Sequence, residues 1–151
     1  MIVVHVPVSE AVKKYLIHEF AHRVVDHREG TAIKVNRRHL LGNIMAMGLT
    51  SDLSQFKPQR IPKQSLAFIL DSSFVKNACV EEWKLEMISQ FLDQFFKQSF
   101  CMWLKATYEK HGDIVKAIDA FYERYDLSED DYGRDNLRRY YNAHLTGKWG
   151  I

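Results

Sequence analysis

Two stretches of this chain carry side chains whose types and spacing could do chemistry. In the first, His18-Glu19-Phe20-Ala21-His22, two imidazoles stand four positions apart. On an unbroken helix they share one face and can hold one metal ion, and Glu19 between them can take a proton from metal-bound water. The chemistry would be zinc-assisted hydrolysis. In the second, Arg134, Arg138, Arg139 and Asn142 gather near the C-terminus, with Lys148 trailing. A guanidinium fork grips phosphate or guanine through two parallel hydrogen bonds, and a carboxamide can do the same with adenine, so these residue types suit nucleic acid. Another basic group, Arg23, Arg28, Lys34, Arg37 and Arg38, would extend that surface if it shared a face with the first.

Each stretch also has a plainer reading. The histidine run resembles the zincin metallopeptidases over its five residues, and the resemblance implies His18 and His22 as zinc ligands and Glu19 as general base. The chain departs from the extended pattern of that group. Val25 stands where a glycine belongs, His27 follows at the wrong offset, and only Glu29, Glu81 and Glu82 remain as third ligands. The apolar stripe of the surrounding helix centres on Val12, Leu16 and Phe20, well away from both histidines, so a solvated histidine pair is expected and zinc is the alternative.

Residues 113–125 and 135–144 read as two helices, and the pair resembles the helix-turn-helix DNA-binding proteins, whose second helix enters the major groove. That resemblance implies Arg134, Arg138, Arg139 and Asn142 as contacts. The link between the helices exceeds the usual short turn and carries Asp126, Glu129, Asp130 and Asp131, which repel phosphate or neutralise neighbouring arginines. Asp126, Ser128 and Asp130 also imitate the start of a calcium loop, but Asp131 occupies the glycine position and Leu137 that of the closing glutamate. Cys79 and Cys101 sit among apolar neighbours and are read as buried thiols without a base to activate them.

The elements that must position these groups follow from periodicity. Residues 2–6 are mostly β-branched and make a strand that Pro7 stops; Ser9 caps a helix over 9–23. A turn at Glu29-Gly30 precedes a strand over 31–35. A helix over 38–47 is weakened by Gly42, residues 50–63 form a loop, and 65–70 form a third strand of one small sheet. Residues 80–110 contain neither glycine nor proline. Trp83, Met87, Phe91 and Phe95 there interleave with Ile88, Leu92 and Phe96, the mark of one long helix about 45 Å in length with an aromatic core side. Gly112 ends it, Asp113 caps the next helix, and residues 146–151 fray.

The expectation is an α+β chain, mostly helical, forming one domain over 1–151, with a β-containing region at 1–71 and a helical region at 72–151. A formal charge of +2 and a pI near 8.5 are too slight to mark a nucleic-acid binder by total alone, so the case rests on where the charges sit. No leader and no apolar run of bilayer length is read, which places the chain in the cytoplasm without a membrane partner. The expected function is that of a non-enzymatic accessory or regulatory protein. It needs no cofactor, binds nucleic acid through Arg134, Arg138, Arg139 and Asn142 with Arg37 and Arg38, and forms a homodimer through the long aromatic helix. A zinc hydrolase and a protein-interaction module are the alternatives.

Overall fold

A run of β-branched residues at the N-terminus produces strand β1 (Ile2–Pro7), and Ser9 then begins helix α1 (Glu10–Glu19) by accepting a hydrogen bond from the Val12 amide. The computed structural model describes residues 2–28, 30–50, 61–74 and 79–145. After α1, a 3-10 turn (Ala21–Arg23) leads into β2 (Val24–His27), which pairs with β3 (Gly30–Val35) as an antiparallel hairpin. Then come α2 (Leu40–Gly48), β4 (Leu49–Thr50), β5 (Ser65–Leu70) and β6 (Cys79–Val80). The chain continues as α3 (Glu82–His111), α4 (Ile114–Arg124) and α5 (Arg134–Leu145).

The main sheet has the order β1-β5-β3-β2. β1 runs antiparallel to β5, β5 parallel to β3, and β3 antiparallel to β2. Period-two alternation sends Val4, Val6, Ile33, Val35, Leu66, Phe68 and Leu70 to the helical side. A smaller cluster of Ala32, Ala67 and Ile69 lies on the other face. β5 is buried on both faces, as a central strand must be, and its unbroken apolar run reflects that. β4 and β6 form a separate two-stranded ribbon.

α3 is the hub. It packs on β1, α1, α2, α4 and α5, with Leu85, Ile88, Leu92, Phe96, Phe100 and Leu104 turned inward. Gly112 terminates it in the left-handed conformation (φ 67°), and Asp113 accepts from the Val115 and Lys116 amides to open α4, both as anticipated from the sequence.

Several boundaries differ from the sequence reading. The first helix ends at Glu19, not at residue 23, because Phe20 leaves helical geometry (φ −110°, ψ 35°) and sets its ring edge-on against His39 at 5.1 Å. The β-branched pair Val24-Val25 then forms a strand that the sequence reading omitted, so the sheet has four strands where three were expected. Val80 belongs to β6 and not to the long helix. Most of the expected loop over 50–63, and the expected fraying of 146–151, lie outside the described residues. Among the described residues no helix is long and apolar enough to cross a membrane.

The acidic link after α4 is tied back to α1. Asp131 accepts from the Lys14 ammonium at 2.7 Å and from the Ser128 amide at 2.9 Å. Burial works to raise the Asp131 carboxyl, and these bonds outweigh it, holding it below the usual carboxylate range. The Asp131 bond in turn raises Lys14. A depressed carboxylate contributes stability above its unfolded pKa and loses it as pH falls through the folded one. A raised ammonium contributes below its unfolded pKa and loses it as pH rises through the folded one. Lys14→Met is therefore expected to be less stable than the parent between about pH 4 and pH 10.4, with the difference closing on either side. Urea titrations across that range test this; a gap independent of pH would show that the pair is not ionic.

Candidate nucleic-acid interface

The end of α1 at Glu19 decides the fate of the histidine motif. His18 is exposed in the last turn of α1, and its Nδ1 donates to the Lys14 carbonyl at 2.8 Å. His22 lies beyond the helix end, exposed in the 3-10 turn beside Arg23. The unbroken helical turn that would align the two imidazoles is absent. Glu19 accepts a hydrogen bond from the Tyr125 hydroxyl at 2.7 Å, a link from α1 to the end of α4. Glu81 accepts from the Trp83 indole at 2.6 Å, Glu82 is exposed at the start of α3, and Glu29 lies outside the described residues. Among the described residues no three His, Cys, Asp or Glu side chains converge on a point where a metal could sit. Cys101 is buried, and burial pushes its thiol up to about 11, away from the thiolate that a nucleophile needs; the Cys79 side chain, also expected to be buried, lies outside the described residues.

The C-terminal arginines divide into two kinds. Arg134 is clamped: Nε donates to Asp119 at 3.2 Å, Nη1 to Glu129 at 2.9 Å, and its guanidinium lies 4.3 Å from the centre of the Tyr122 ring. Its backbone amide also donates to Glu129. This is a structural staple between α4, the link and α5, and its charge is answered by two carboxylates. Arg138 and Arg139 are exposed, and among the described residues neither enters an ion pair. Leu137 and Tyr141, buried at 0% and 4% exposure, fix the inward side of α5. Helical geometry then places Arg138, Arg139 and the exposed Asn142 together on the outward side, with Asp135 at its start.

α4 and α5 take most of their packing from α3 and not from each other. A helix-turn-helix unit rests one helix on the other, so these helices match that unit in number but not in support. The link between them is held by its own bonds, among them the Tyr122 hydroxyl donating to the Tyr132 carbonyl at 2.6 Å.

Arg37 and Arg38 are exposed in the turn after β3, where their amides donate to Ser73 and Asn36. That is the end of the sheet where Val35, Leu70 and Ile2 lie in register. Tyr140 of α5 instead joins Val8 and Ser9, just past the opposite end of β1, in lining a cleft of about 740 Å³. The Arg37–Arg38 turn and the cleft beside Tyr140 therefore lie toward opposite ends of β1. Near Arg37 and Arg38, burial, with the Arg23 guanidinium and the His22 ring close by, holds His39 below the usual imidazole range.

Apolar surface left over on the long helix was expected from the sequence, but Trp83 and Phe91 were placed on its core side. Of the two interleaved series on α3, Leu92 and Phe96 are buried, but Trp83, Met87 and Phe91 are exposed. Their four-residue spacing, separate from that of the core series, was the available signal. No protein-family model, no curated protein and no solved structure matches this chain.

Proposed function

We propose that this chain is a non-enzymatic nucleic-acid-binding accessory protein of the cytoplasm, and that its contact element is the outward side of α5. The observation that supports this reading is the pairing of exposed, ion-pair-free Arg138 and Arg139 with Asn142, on a helix whose other side is anchored in the core. Two neighbouring guanidinium groups on a rigid helix suit consecutive phosphates, and the amide beside them can accept from or donate to a base edge or sugar. Arg134 no longer belongs among the contacts, because its charge is already engaged. Arg37 and Arg38 can serve only a ligand long enough to pass from one end of the sheet to the other.

Contact with so few phosphates makes binding weak and moderately salt-dependent. Each arginine on a duplex phosphate adds about 0.9 to the slope of log K against log salt. Replacing Arg138 and Arg139 together by glutamine is expected to flatten the slope by about 2 and to weaken duplex and single-stranded probes alike. Arg134→Gln is expected to lower stability and leave the slope nearly unchanged. Fluorescence anisotropy over a potassium chloride series makes the comparison. An unchanged slope in the Arg138/Arg139 variant, or no binding by the parent at low salt, would remove the reading.

A further inference from the structure

The outward side of α3 carries a second surface. Trp83, Met87 and Phe91 succeed one another at four-residue intervals and are 58%, 59% and 45% exposed. Single exposed apolar side chains are ordinary, but three large ones aligned over about 12 Å of one helix make a patch. The opposite side of the same turns is fully used, with Leu85, Ile88 and Leu92 in the core. The indole of Trp83 is also held in place, since it donates to Glu81, and the Lys84 ammonium lies 5.4 Å from its ring centre.

The charges around the patch say what would cover it. Lys84 pairs with Glu81 at 3.8 Å and Lys97 with Asp93 at 2.9 Å, so these four largely offset one another. Glu82 and Glu86 are left, both exposed along one edge of the stripe, while exposed Gln90 and Gln94 continue that edge without charge. The surface is an apolar line with an acidic margin.

We infer that this face docks a basic amphipathic helix from a partner protein. The partner's apolar side chains, spaced three or four residues apart, lie along Trp83, Met87 and Phe91, and its lysines or arginines meet Glu82 and Glu86. A second copy of the chain fits less well. Antiparallel self-pairing about Met87 sets Glu86 against the partner copy's Glu86, and in parallel pairing the Lys84 that would answer the glutamates is already held by Glu81 and the Trp83 ring. The three side chains also expose only about 350 Å² together, well below the roughly 800 Å² per partner of a standard stable interface.

The test uses the full chain and two labelled synthetic helices about 18 residues long, with identical leucine positions and either lysine or glutamate on the margins. The lysine peptide is expected to bind at least about tenfold more tightly than the glutamate peptide. Met87→Ser with Phe91→Ser is expected to abolish binding, and Glu82→Lys with Glu86→Lys to reverse the preference. All four positions are half-exposed or exposed, so unchanged circular dichroism and thermal midpoint confirm that the variants fold. Equal binding of both peptides, no binding at about 1 mM, or binding unaffected by the serine pair overturns the inference. So does a dimer in sedimentation at about 0.1 mM that the serine pair converts to monomer, because the occupant would then be a second copy.

Discussion

Phe121→Ala is expected to destabilise the protein by about 3–5 kcal/mol, the cost of removing a buried ring and leaving a cavity that its neighbours only partly fill. Phe121 is 1% exposed and meets five other aromatic rings: Tyr15, Phe96, Phe100, Trp103 and Tyr125, at centroid distances of 4.8 to 6.4 Å. These rings come from α1, α3 and the end of α4, so one side chain packs three helices together, beside the hydrogen bonds from Tyr15 to Ser99 and from Trp103 to the Ala117 carbonyl that also link them. Edge-to-face and tilted pairs add to the area buried, which places the loss toward the upper end of the range. For a chain of this size the thermal midpoint should fall by about 10 °C or more. Val115→Ala, on the same helix but 55% exposed, provides the contrast and should change stability by less than about 0.5 kcal/mol. Urea denaturation of both variants gives the comparison. A Phe121→Ala loss below about 1 kcal/mol would mean that α4 does not pack on α3 in this way.

Gly42→Ala should act against the ordinary direction. Within a helix that exchange normally gains about 0.5–1 kcal/mol, because alanine is the better helix former. Here a Cβ on residue 42 would lie 1.7 Å from the Asn36 carbonyl oxygen and 2.6 Å from its carbon. Both obstacles are backbone atoms of the turn that joins β3 to α2, so no side-chain rotation relieves them. Either the turn or the helix must shift, and a loss of about 3 kcal/mol or more is expected. Gly48→Ala supplies a graded control. Its Cβ would meet the Ile88 side-chain terminus at 2.8 Å, a flexible end that can move, so its cost should be clearly smaller. A stabilised Gly42→Ala variant would refute the close passage of the β3–α2 turn. The same turn carries Arg37 and Arg38, so the clash would also disturb that basic group without touching the arginines of α5.

The residues by themselves announced those elements whose signals lie within a few positions of one another. Pro7 at the end of β1, Ser9 before α1, the Gly112 stop and the Asp113 cap were all readable, because capping and turn chemistry act over one helical turn or less. The long α3 was readable for the same reason, its apolar residues recurring at helical spacing without interruption. Gly42 was visible too, but as a mark against its helix; that it admits the neighbouring backbone depends on a close approach that composition does not express.

The outcome at the candidate sites was decided by groups distant along the chain. His18 and His22 satisfy a local pattern, yet α1 ends between them because Phe20 packs on His39 and the following valines are drawn into the sheet. Arg134 and Arg138 are alike in type and lie one turn apart, but only Arg134 meets Asp119 and Glu129. Lys14 and Asp131, separated by 117 positions, are brought within 2.7 Å. Sequence determined the helices, most of the strands and the kinds of side chain available. Tertiary structure alone decided which charges stay unpaired and which of the two apolar lines on α3 faces water, because pairing and burial depend on what other elements bring alongside.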